Sequence, residues 1–373
     1  MRYFLIAGEA SGDLHGSNLI KALKIEDSNA IFRFHGGDLM AGQAEGLFLH
    51  FKDTALMGLT DVIANIGKVF SGLRKCKREI LVFNPDVIIL IDYAGFNLRI
   101  AKWAKKEGFR IFYYISPKIW AWRQSRVEQV KKYVDSIFVI LPFEVDFYRE
   151  HGYHAVEYVG NPVADAVRQK IPELPEREVF LKENQLDERP VIALLAGSRK
   201  QEIKFCLPEM LQAIPHFKNY QFVIAGAPSI EPEYYNQFIQ GHDTRVVSQQ
   251  TYELVRNSVA AIVVSGTATL ETALLGTPEI VIYKTSRLTY AVGRHFVKVK
   301  FFSLVNLFLG RESVKEILQF EISSKIIKEL NKLLHDEAYR ERMLGDYKEL
   351  QEVLGDQNVS EQTASRITKK LNL

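Results

Sequence analysis

The chain has 373 residues, of which 47% are hydrophobic and 25% are charged, and its formal net charge is +3. The length favours two domains and the composition a soluble globular protein, while so small a net charge gives no sign of nucleic-acid binding. Two cysteines far apart exclude a disulfide framework, and the lack of a signal peptide or of an apolar run of about 18 residues predicts a cytoplasmic protein.

The first half of the chain alternates apolar runs with helix-like segments. The runs occupy residues 3–8, 87–92, 110–116 and 137–142, and a helix is predicted after the first of them. Because the runs are continuous and rich in β-branched and aromatic residues, they are typical of parallel strands buried on both faces. The alternation predicts βαβ units.

The same pattern begins again after a polar stretch rich in Pro and Glu at residues 169–189. Further strand-like runs lie at residues 191–197, 221–227, 245–250, 260–266 and 279–284, and helices are predicted near the C-terminus. We expect an α/β fold of two Rossmann-like, doubly wound domains over residues 1–165 and 166–344, with C-terminal helices at 345–373 packing back on the first domain. A cleft between the carboxyl ends of the two sheets would bind the ligands.

The first domain carries ionisable side chains after two of its predicted strands. The turn AGEASGD at residues 7–13 lacks the dinucleotide-binding fingerprint, and the chain has no P-loop motif, so neither a nicotinamide cofactor nor ATP is expected. Asp13, in this turn, is either a general base or a cap for the first helix. Asp92, which ends the run at 87–92, is either a base that takes a hydroxyl proton or a carboxylate held by loop amides.

Two strand-to-helix turns of the second domain have the composition of an anion site, Gly-Ser-Arg at residues 197–199 and Ser-Gly-Thr at residues 265–267. Glycine permits close approach of a ligand, and free amides at a helix start favour a diphosphate. Arg199 would be a bidentate donor to phosphate, and Glu271, one helical turn after Thr267, would accept ribose hydroxyls. The alternative is that Ser198, Ser265 or Thr267 caps its helix, with Arg199 and Glu271 solvated.

The segment SPKIWAWR at residues 116–123 places two tryptophans beside basic side chains. Aromatic walls suit sugar rings and acyl chains, and the cations suit a phosphorylated acceptor. The alternative is that Trp120 and Trp122 only pack against neighbouring structure.

A long helix is predicted over residues 61–83, and its apolar face is wider than packing against a core requires. A wide apolar face with basic flanks is typical of helices that bind an anionic membrane surface. The alternative is an amphipathic core helix with a solvated back. The candidate membrane contacts are Ile63, Ile66, Lys68, Phe70, Arg74 and Arg78.

A series of segments, taken in chain order, resembles the family of lipid-A-disaccharide synthases. They are AGEASGD, DTALMGLTDVI, SPKIWAWR, LPFE, VGNPVAD, AGSRKQEI, SGTATLETAL and SLVNLFLGRESVKEILQ, and they extend to Gln319. The resemblance implies a GT-B-type fold and an inverting glycosyl transfer that needs neither a metal nor a cofactor. It implies UDP-2,3-diacylglucosamine as donor and 2,3-diacylglucosamine 1-phosphate (lipid X) as acceptor. The products would be the β-1,6-linked lipid A disaccharide 1-phosphate and UDP.

The same resemblance implies a location and a set of site residues. The enzyme would be a peripheral protein on the anionic cytoplasmic face of the inner membrane of a Gram-negative bacterium. The positions that match donor-binding residues of the family are Ser198, Arg199, Gly266, Thr267, Glu271 and Asn306. The positions expected on the acceptor side are Ser11, Gly12, Trp122 and Arg123. The oligomeric state stays open, with a homodimer as one option.

One motif departs from the family pattern. Where the family often has IDAPDFN, this chain has IDYAGFN, so Gly95 replaces the second carboxylate. We therefore expect Asp92 to be the catalytic base, with Asp13 as the alternative, and Arg199 to stabilise the leaving diphosphate. Two other functions stay open, namely a UDP-N-acetylglucosamine 2-epimerase, which would need no lipid acceptor, and a binding protein without catalysis.

Overall fold

The computed structural model describes residues 1–53, 66–122, 124–287, 289–291, 300–356 and 358–372, without the side chains of Ile66, Lys68, Val69 and Trp122. The chain forms two compact units, one of Met1–Pro162 with Gln357–Leu373 and one of Val163–Asp356. The change of unit lies between Pro162 and Val163. The residues that follow Asp356 belong to the first unit again.

The first unit contains a seven-stranded parallel sheet in the order β3-β2-β1-β4-β5-β6-β7. Its strands are β1 (Arg2–Ala7), β2 (Ile31–Gly36), β3 (Leu47–His50), β4 (Val87–Ile91), β5 (Ile111–Tyr114), β6 (Ser136–Val139) and β7 (Val156–Tyr158). The helices before the boundary are α1 (Ala10–Glu26), α2 (Asp38–Gln43), α3 (Ile66–Phe83), α4 (Ala94–Lys106), α5 (Ile119–Trp122), α6 (Val127–Tyr133) and α7 (Phe143–Glu150).

The second unit contains a six-stranded parallel sheet in the order β10-β9-β8-β11-β12-β13. Its strands are β8 (Val191–Leu195), β9 (Gln221–Gly226), β10 (Thr244–Ser248), β11 (Ser258–Val264), β12 (Glu279–Tyr283) and β13 (Lys315–Leu318). Its helices are α8 (Pro162–Lys170), α9 (Arg177–Glu183), α10 (Lys200–Leu211), α11 (Glu233–Ile239), α12 (Thr251–Arg256), α13 (Thr267–Leu274), α14 (Leu304–Leu309), α15 (Ile322–His335) and α16 (Glu337–Leu354). The last helix, α17 (Val359–Leu371), belongs to the first unit.

Helices cover both faces of the first sheet, which explains why its central strands are continuously apolar. One face packs against α3 through the buried side chains of Leu73, Cys76 and Ile80. The opposite face packs against α1 and α17, and α17 contributes Val359 and Ile367 to that core. The expectation of two doubly wound α/β units is therefore confirmed.

Four short strands, β2, β3, β7 and β13, are not predicted by the apolar pattern. Charged residues occur in three of them, β2, β7 and β13, and in β2 and β7 a charged partner on a distant helix satisfies the charge. Arg33 in β2 donates to Glu79 on α3 at 2.6 Å, and Glu157 in β7 pairs with Arg366 on α17 at 3.2 Å. Local hydrophobicity cannot reveal such strands, because the partners lie far away in the chain.

The polar stretch at residues 169–189 is part of the second unit and follows the boundary. It contains α9, whose Phe180 and Leu181 are buried. Among the described residues, no helix combines the length and the apolar character needed to cross a bilayer.

Candidate functional site

The first sheet changes direction between β1 and β4. From β1 the chain adds strands towards β3 on one side, and from β4 towards β7 on the other. Ala7 pairs with Ile91 in the register, so the two strands end side by side. Ligands of open α/β sheets bind at the carboxyl ends of the strands that flank such a switch point. The AGEASGD turn follows β1, and Asp92 follows β4.

Asp92 lies in a strained turn. Asp92 and Tyr93 both have left-handed backbone angles, with φ of 43° and 47°, which non-glycine residues rarely adopt. The Asp92 carbonyl accepts hydrogen bonds from Asn97 Nδ2 at 2.8 Å and from the Tyr113 hydroxyl at 2.5 Å. Asn97 is fully buried and also donates to the Ile91 carbonyl at 3.2 Å. These contacts hold a conformation that the local sequence does not favour.

The surroundings of the Asp92 carboxyl affect its pKa in two opposing ways. Burial raises its pKa, and the nearby Lys118 ammonium and the Tyr93 amide partly oppose that rise. A carboxylate with a raised pKa takes up a proton more readily.

At Gly95, an added Cβ would meet no atom within 4 Å, so packing does not require glycine at the position where the family often has a second carboxylate.

Gly8 is needed for a reason that the sequence does not reveal. An added Cβ would lie 2.1 Å from the ring of Tyr93, so this ring fills the space beside the turn. The Tyr93 ring also stacks on Phe96 with centroids 5.3 Å apart. Glycine at position 8 thus permits the turn after β4, through its Tyr93 ring, to pack directly against the turn after β1. This contact couples the two turns of the switch point.

Asp13 is engaged by another helix. Its Oδ1 accepts from the amides of Gly37 at 2.7 Å and Met40 at 3.1 Å, and its Oδ2 accepts from Leu39 at 3.1 Å. The carboxylate is 4% exposed and satisfies the amino end of α2, whereas the expected cap was for α1. With both oxygens committed to backbone amides, Asp13 is a poor candidate for a base.

The remaining acceptor-side positions differ in how much the structure says of them. Ser11 is exposed in the first turn of α1. Gly12 is buried, and an added Cβ would come within 3.2 Å of the Ala7 side chain, so Gly12 permits α1 to pack closely on β1. Trp122 ends α5, but its side chain and all of Arg123 lie outside the described residues.

Glu144, in the LPFE segment, is a buried carboxyl whose role no sequence pattern predicts. This side chain is 1% exposed, its Oε1 accepts from Ser116 Oγ at 2.6 Å, and its Oε2 accepts from the Leu141 amide at 3.2 Å. Burial raises the pKa of the carboxyl to about 7, against the opposing effects of these donors, Trp120 and Lys118. The Lys118 ammonium thus opposes the rise in pKa of both Asp92 and Glu144.

The helix α3 has an inner and an outer apolar surface. Leu73 and Ile80 are buried, whereas Phe70 is 52% exposed and Leu81 is 53% exposed. Arg74 and Arg78 are exposed, and the Arg99 guanidinium lies 6.0 Å from the Phe70 ring centroid. Ile63 lies outside the described residues, as do the side chains of Ile66 and Lys68.

The second sheet has its own switch point between β8 and β11, because β9 and β10 continue on one side and β12 and β13 on the other. Leu195 pairs with Val263 near the ends of the two strands. The two turns predicted to bind an anion follow these strands. They therefore flank the position at which such sheets bind ligands.

The turn after β8 is shaped by Gly197 and Glu202. Gly197 has φ of 106°, and an added Cβ would lie 2.6 Å from the Glu202 side chain. Glu202 Oε2 accepts from the amides of Ser198 at 2.9 Å and Arg199 at 3.3 Å, so Glu202, not Ser198, caps α10. The Arg199 side chain is 80% exposed and contacts Glu202 at 3.2 Å. Its guanidinium is thus held at one side and accessible at the other.

The turn after β11 leads into α13 without a side-chain cap. Gly266 occupies the cap position, and the Ser265 hydroxyl donates instead to the Phe302 carbonyl at 2.7 Å. Gly266 and Thr267 are exposed, and a Cβ added at Gly266 would meet only the Val264 carbonyl oxygen, at 3.9 Å. Uncapped amides beside open space are suited to a phosphate group.

Glu271 lies one turn further along α13 and is half-buried. Its Oε1 accepts from the Tyr252 hydroxyl at 2.8 Å, and burial raises its pKa while this hydrogen bond opposes the rise. Tyr252 of α12, for which no sequence motif predicts a role, thus orients the carboxylate. This contact could not be predicted from local sequence, because Tyr252 lies 19 residues before Glu271 and on another helix.

Asn306 is completely buried and fully hydrogen-bonded within the protein. Its Oδ1 accepts from the amides of Ser313 at 2.7 Å and Val314 at 3.0 Å. Its Nδ2 donates to the Val314 carbonyl at 2.9 Å and to Glu316 Oε1 at 2.8 Å. This geometry leaves Asn306 no hydrogen-bonding capacity for a ligand, so its contribution to the site is to hold neighbouring backbone.

Comparison with known proteins matches the chain to one family over nearly its whole length. The sequence profile described as Lipid-A-disaccharide synthetase matches residues 3–369. The chain is 37% identical to the lipid-A-disaccharide synthase of Myxococcus xanthus, covering 99% of this chain and 97% of that protein. It is 38% identical to the enzyme of the same name from Trichlorobacter lovleyi, covering 92% and 91%.

Solved structures of lower identity share the fold. An S. aureus MnaA–UDP co-structure has a TM-score of 0.67 at 15% identity, covering 100% of this chain and 97% of that one. UDP-GlcNAc 2-epimerase from Neisseria meningitidis, bound to UDP-GlcNAc, has a TM-score of 0.61 at 14% identity, covering 99% of both chains. At this identity the likeness concerns architecture alone.

Proposed function

The chain belongs to the lipid-A-disaccharide synthase family, and we propose that the polar turns at its two switch points carry out the glycosyl transfer of that family. The enzyme is a glycosyltransferase of lipid A biosynthesis that uses UDP-2,3-diacylglucosamine as donor. We propose 2,3-diacylglucosamine 1-phosphate as the acceptor, with the β-1,6-linked disaccharide 1-phosphate and UDP as products. The observation that carries the site proposal is the placement of these turns on both sides of each switch point.

The second unit is proposed to bind the donor nucleotide. The exposed amides of Gly266 and Thr267 at the start of α13 suit the diphosphate, and the accessible guanidinium of Arg199 suits the charge that develops on the leaving group. Glu271, oriented by Tyr252, suits the ribose hydroxyls. Ser198 contributes its position beside Arg199, because its amide is already bonded to Glu202.

The first unit is proposed to supply the catalytic base. Asp92 takes the proton of the acceptor's 6-hydroxyl as that oxygen attacks the anomeric carbon of the donor, and the bond from this carbon to the diphosphate breaks. Its strained, tightly held turn and its raised pKa support this role. Asp13 is not proposed as the base, since its oxygens hold α2.

A direct assay tests the proposed reaction. Purified protein incubated with UDP-2,3-diacylglucosamine and 2,3-diacylglucosamine 1-phosphate should release UDP and form one disaccharide 1-phosphate per UDP, as measured by mass spectrometry. The control is UDP-N-acetylglucosamine without an acceptor, from which a 2-epimerase would make an isomeric sugar nucleotide. Isomer formation in the control, with no disaccharide in the main reaction, would overturn the proposal.

The outer surface of α3 is proposed to contact the anionic cytoplasmic face of the inner membrane as part of a peripheral attachment. The support is the exposed Phe70 next to exposed Arg74 and Arg78. The test is cosedimentation with vesicles containing phosphatidylglycerol, using Lys68→Glu, Arg74→Glu and Arg78→Glu together. Binding should fall towards the level seen with neutral vesicles.

A matched control for the vesicle experiment reverses as many charges on the second unit. Lys328, Arg342 and Lys348 are exposed on α15 and α16, so their reversal changes the net charge equally. This control should bind as the unmodified protein does. Equal loss in both triple variants would mean that net charge alone drives association, and it would exclude a specific α3 surface.

A further inference from the structure

The carboxylate of Glu316, in β13, organises the segment that precedes α14. Its Oε2 accepts from the Phe302 amide at 2.9 Å, and its Oε1 accepts from the Ser303 amide at 2.9 Å and from Asn306 Nδ2 at 2.8 Å. All three donors point at one charged acceptor, and hydrogen bonds to a charged group are stronger than neutral ones. Ser303 is completely buried and accepts from the Asn306 amide at 3.1 Å, which closes the network.

The segment that Glu316 holds is bonded to the turn after β11 from two sides. The Phe302 carbonyl accepts from Ser265 Oγ at 2.7 Å. The Leu304 amide donates to Thr269 Oγ1 at 3.2 Å, and Thr269 Oγ1 donates to the Gly266 carbonyl at 2.9 Å. Hydrogen bonds joined by the backbone of residues 302–304 therefore connect the Glu316 carboxylate to the Ser265 hydroxyl and to the Gly266 carbonyl.

We propose that Glu316 is a positioning residue for the diphosphate of the donor nucleotide. It acts by holding residues 302–304, which in turn fix the backbone of Ser265 and Gly266. Asn306 has the same kind of role, because its side chain connects the Glu316 carboxylate to the loop at Ser313 and Val314. The inference rests on the proposed function in one respect, namely that the Gly266–Thr267 turn binds the diphosphate.

Glu316→Gln is the most informative change because it preserves shape and removes the charge. A glutamine has one acceptor oxygen and an amide group that only donates, so it cannot serve donors on both sides as the carboxylate does. One of the contacts to Phe302, Ser303 or Asn306 would become a repulsion between donors. Loss of one charge-assisted hydrogen bond corresponds to roughly a tenfold effect on an equilibrium that depends on it.

The chain offers a matched control four residues before Glu316. Glu312 forms an exposed ion pair with Lys315 at 2.9 Å, so Glu312→Gln removes the same charge nearby without touching the network. Dissociation constants of UDP and of uridine, measured by ligand-observed NMR, separate diphosphate binding from nucleoside binding. For Glu316→Gln we expect UDP to bind about tenfold more weakly, with uridine changed less than twofold. The KM of the donor should rise, while that of the acceptor stays unchanged.

The outcomes distinguish this inference from the proposed function. If the unmodified protein does not bind UDP, the donor-site proposal itself fails. If it binds UDP and Glu316→Gln behaves like Glu312→Gln, or loses UDP and uridine equally, the positioning role is overturned. Should Glu316→Gln not fold, Ser265→Ala removes the bond to Phe302 from the opposite side. The same selective loss of UDP binding is then expected, and unchanged UDP binding would overturn the inference.

Discussion

Replacing Glu144 with glutamine should change how the stability of the first unit depends on pH. Glu144 is buried in the first turn of α7, and its carboxyl accepts from Ser116 Oγ and the Leu141 amide. Burial raises its pKa to about 7 from an ordinary value of 4.5. Glutamine has nearly the same shape and does not titrate, so the variant isolates the ionisation of this one group.

The sign and size of the effect follow from linkage between protonation and folding. A carboxyl with a pKa raised by folding favours the folded state below its unfolded pKa, and this advantage disappears as pH rises through the folded pKa. For Glu144 the window is from pH 4.5 to about 7. A shift of one pKa unit corresponds to about 1.36 kcal/mol. Over this pH window, the free energy of unfolding of the unmodified protein should therefore fall by about 3 kcal/mol relative to that of Glu144→Gln.

Tryptophan fluorescence provides the assay, because all three tryptophans, Trp103, Trp120 and Trp122, lie in the first unit. The free energy of unfolding is obtained from urea titrations between pH 5 and pH 8, with Glu150→Gln as a control at the exposed end of the same helix. The advantage of Glu144→Gln should grow with pH through the folded-state pKa of about 7 and level off towards pH 8. A pH-independent difference, or one equal to that of Glu150→Gln, would refute the reasoning.

Four further predictions concern activity. Arg199→Ala should lower kcat by roughly a hundredfold without unfolding the chain, because its side chain is 80% exposed, and near-normal turnover of the purified variant would exclude its role. Asp92→Asn should lower kcat/KM at least about a hundredfold. In the unmodified enzyme, kcat/KM should fall on the acidic side with a midpoint above the ordinary pKa of an aspartate. The reason is that burial raises the pKa of Asp92 and that protonation of Asp92 removes the base. A midpoint at the ordinary aspartate pKa would contradict this prediction. Gly8→Ala should lower kcat, because the added Cβ would lie 2.1 Å from the Tyr93 ring. Gly95→Ala is the control and should leave kcat unchanged, because an added Cβ there meets no atom within 4 Å. Equal rates for the two variants would refute the coupling between the turns after β1 and β4.

Local patterns predicted the features that depend on neighbouring residues in the chain. The long apolar runs became β1, β4, β8 and β11, and their ends located the four turns of the two switch points. The family followed from ordered motifs, because motifs are contiguous in sequence. A strand buried on both faces requires an unbroken apolar run, so the local sequence is sufficient to predict these strands.

The roles of individual side chains depended on residues far away in the chain. Asp13 holds α2 through amides 24 to 27 residues away, and Glu144 is bonded to Ser116 28 residues before it. The ring of Tyr93 occupies the space that a side chain at Gly8 would need. Spacing identifies a carboxylate or a glycine at the end of a strand, but it cannot say which distant donor or ring meets it. Hydrogen-bond partners and burial arise only when the sheet brings separate turns to one edge, and that assembly decided which polar residues hold backbone and which remain accessible to a ligand.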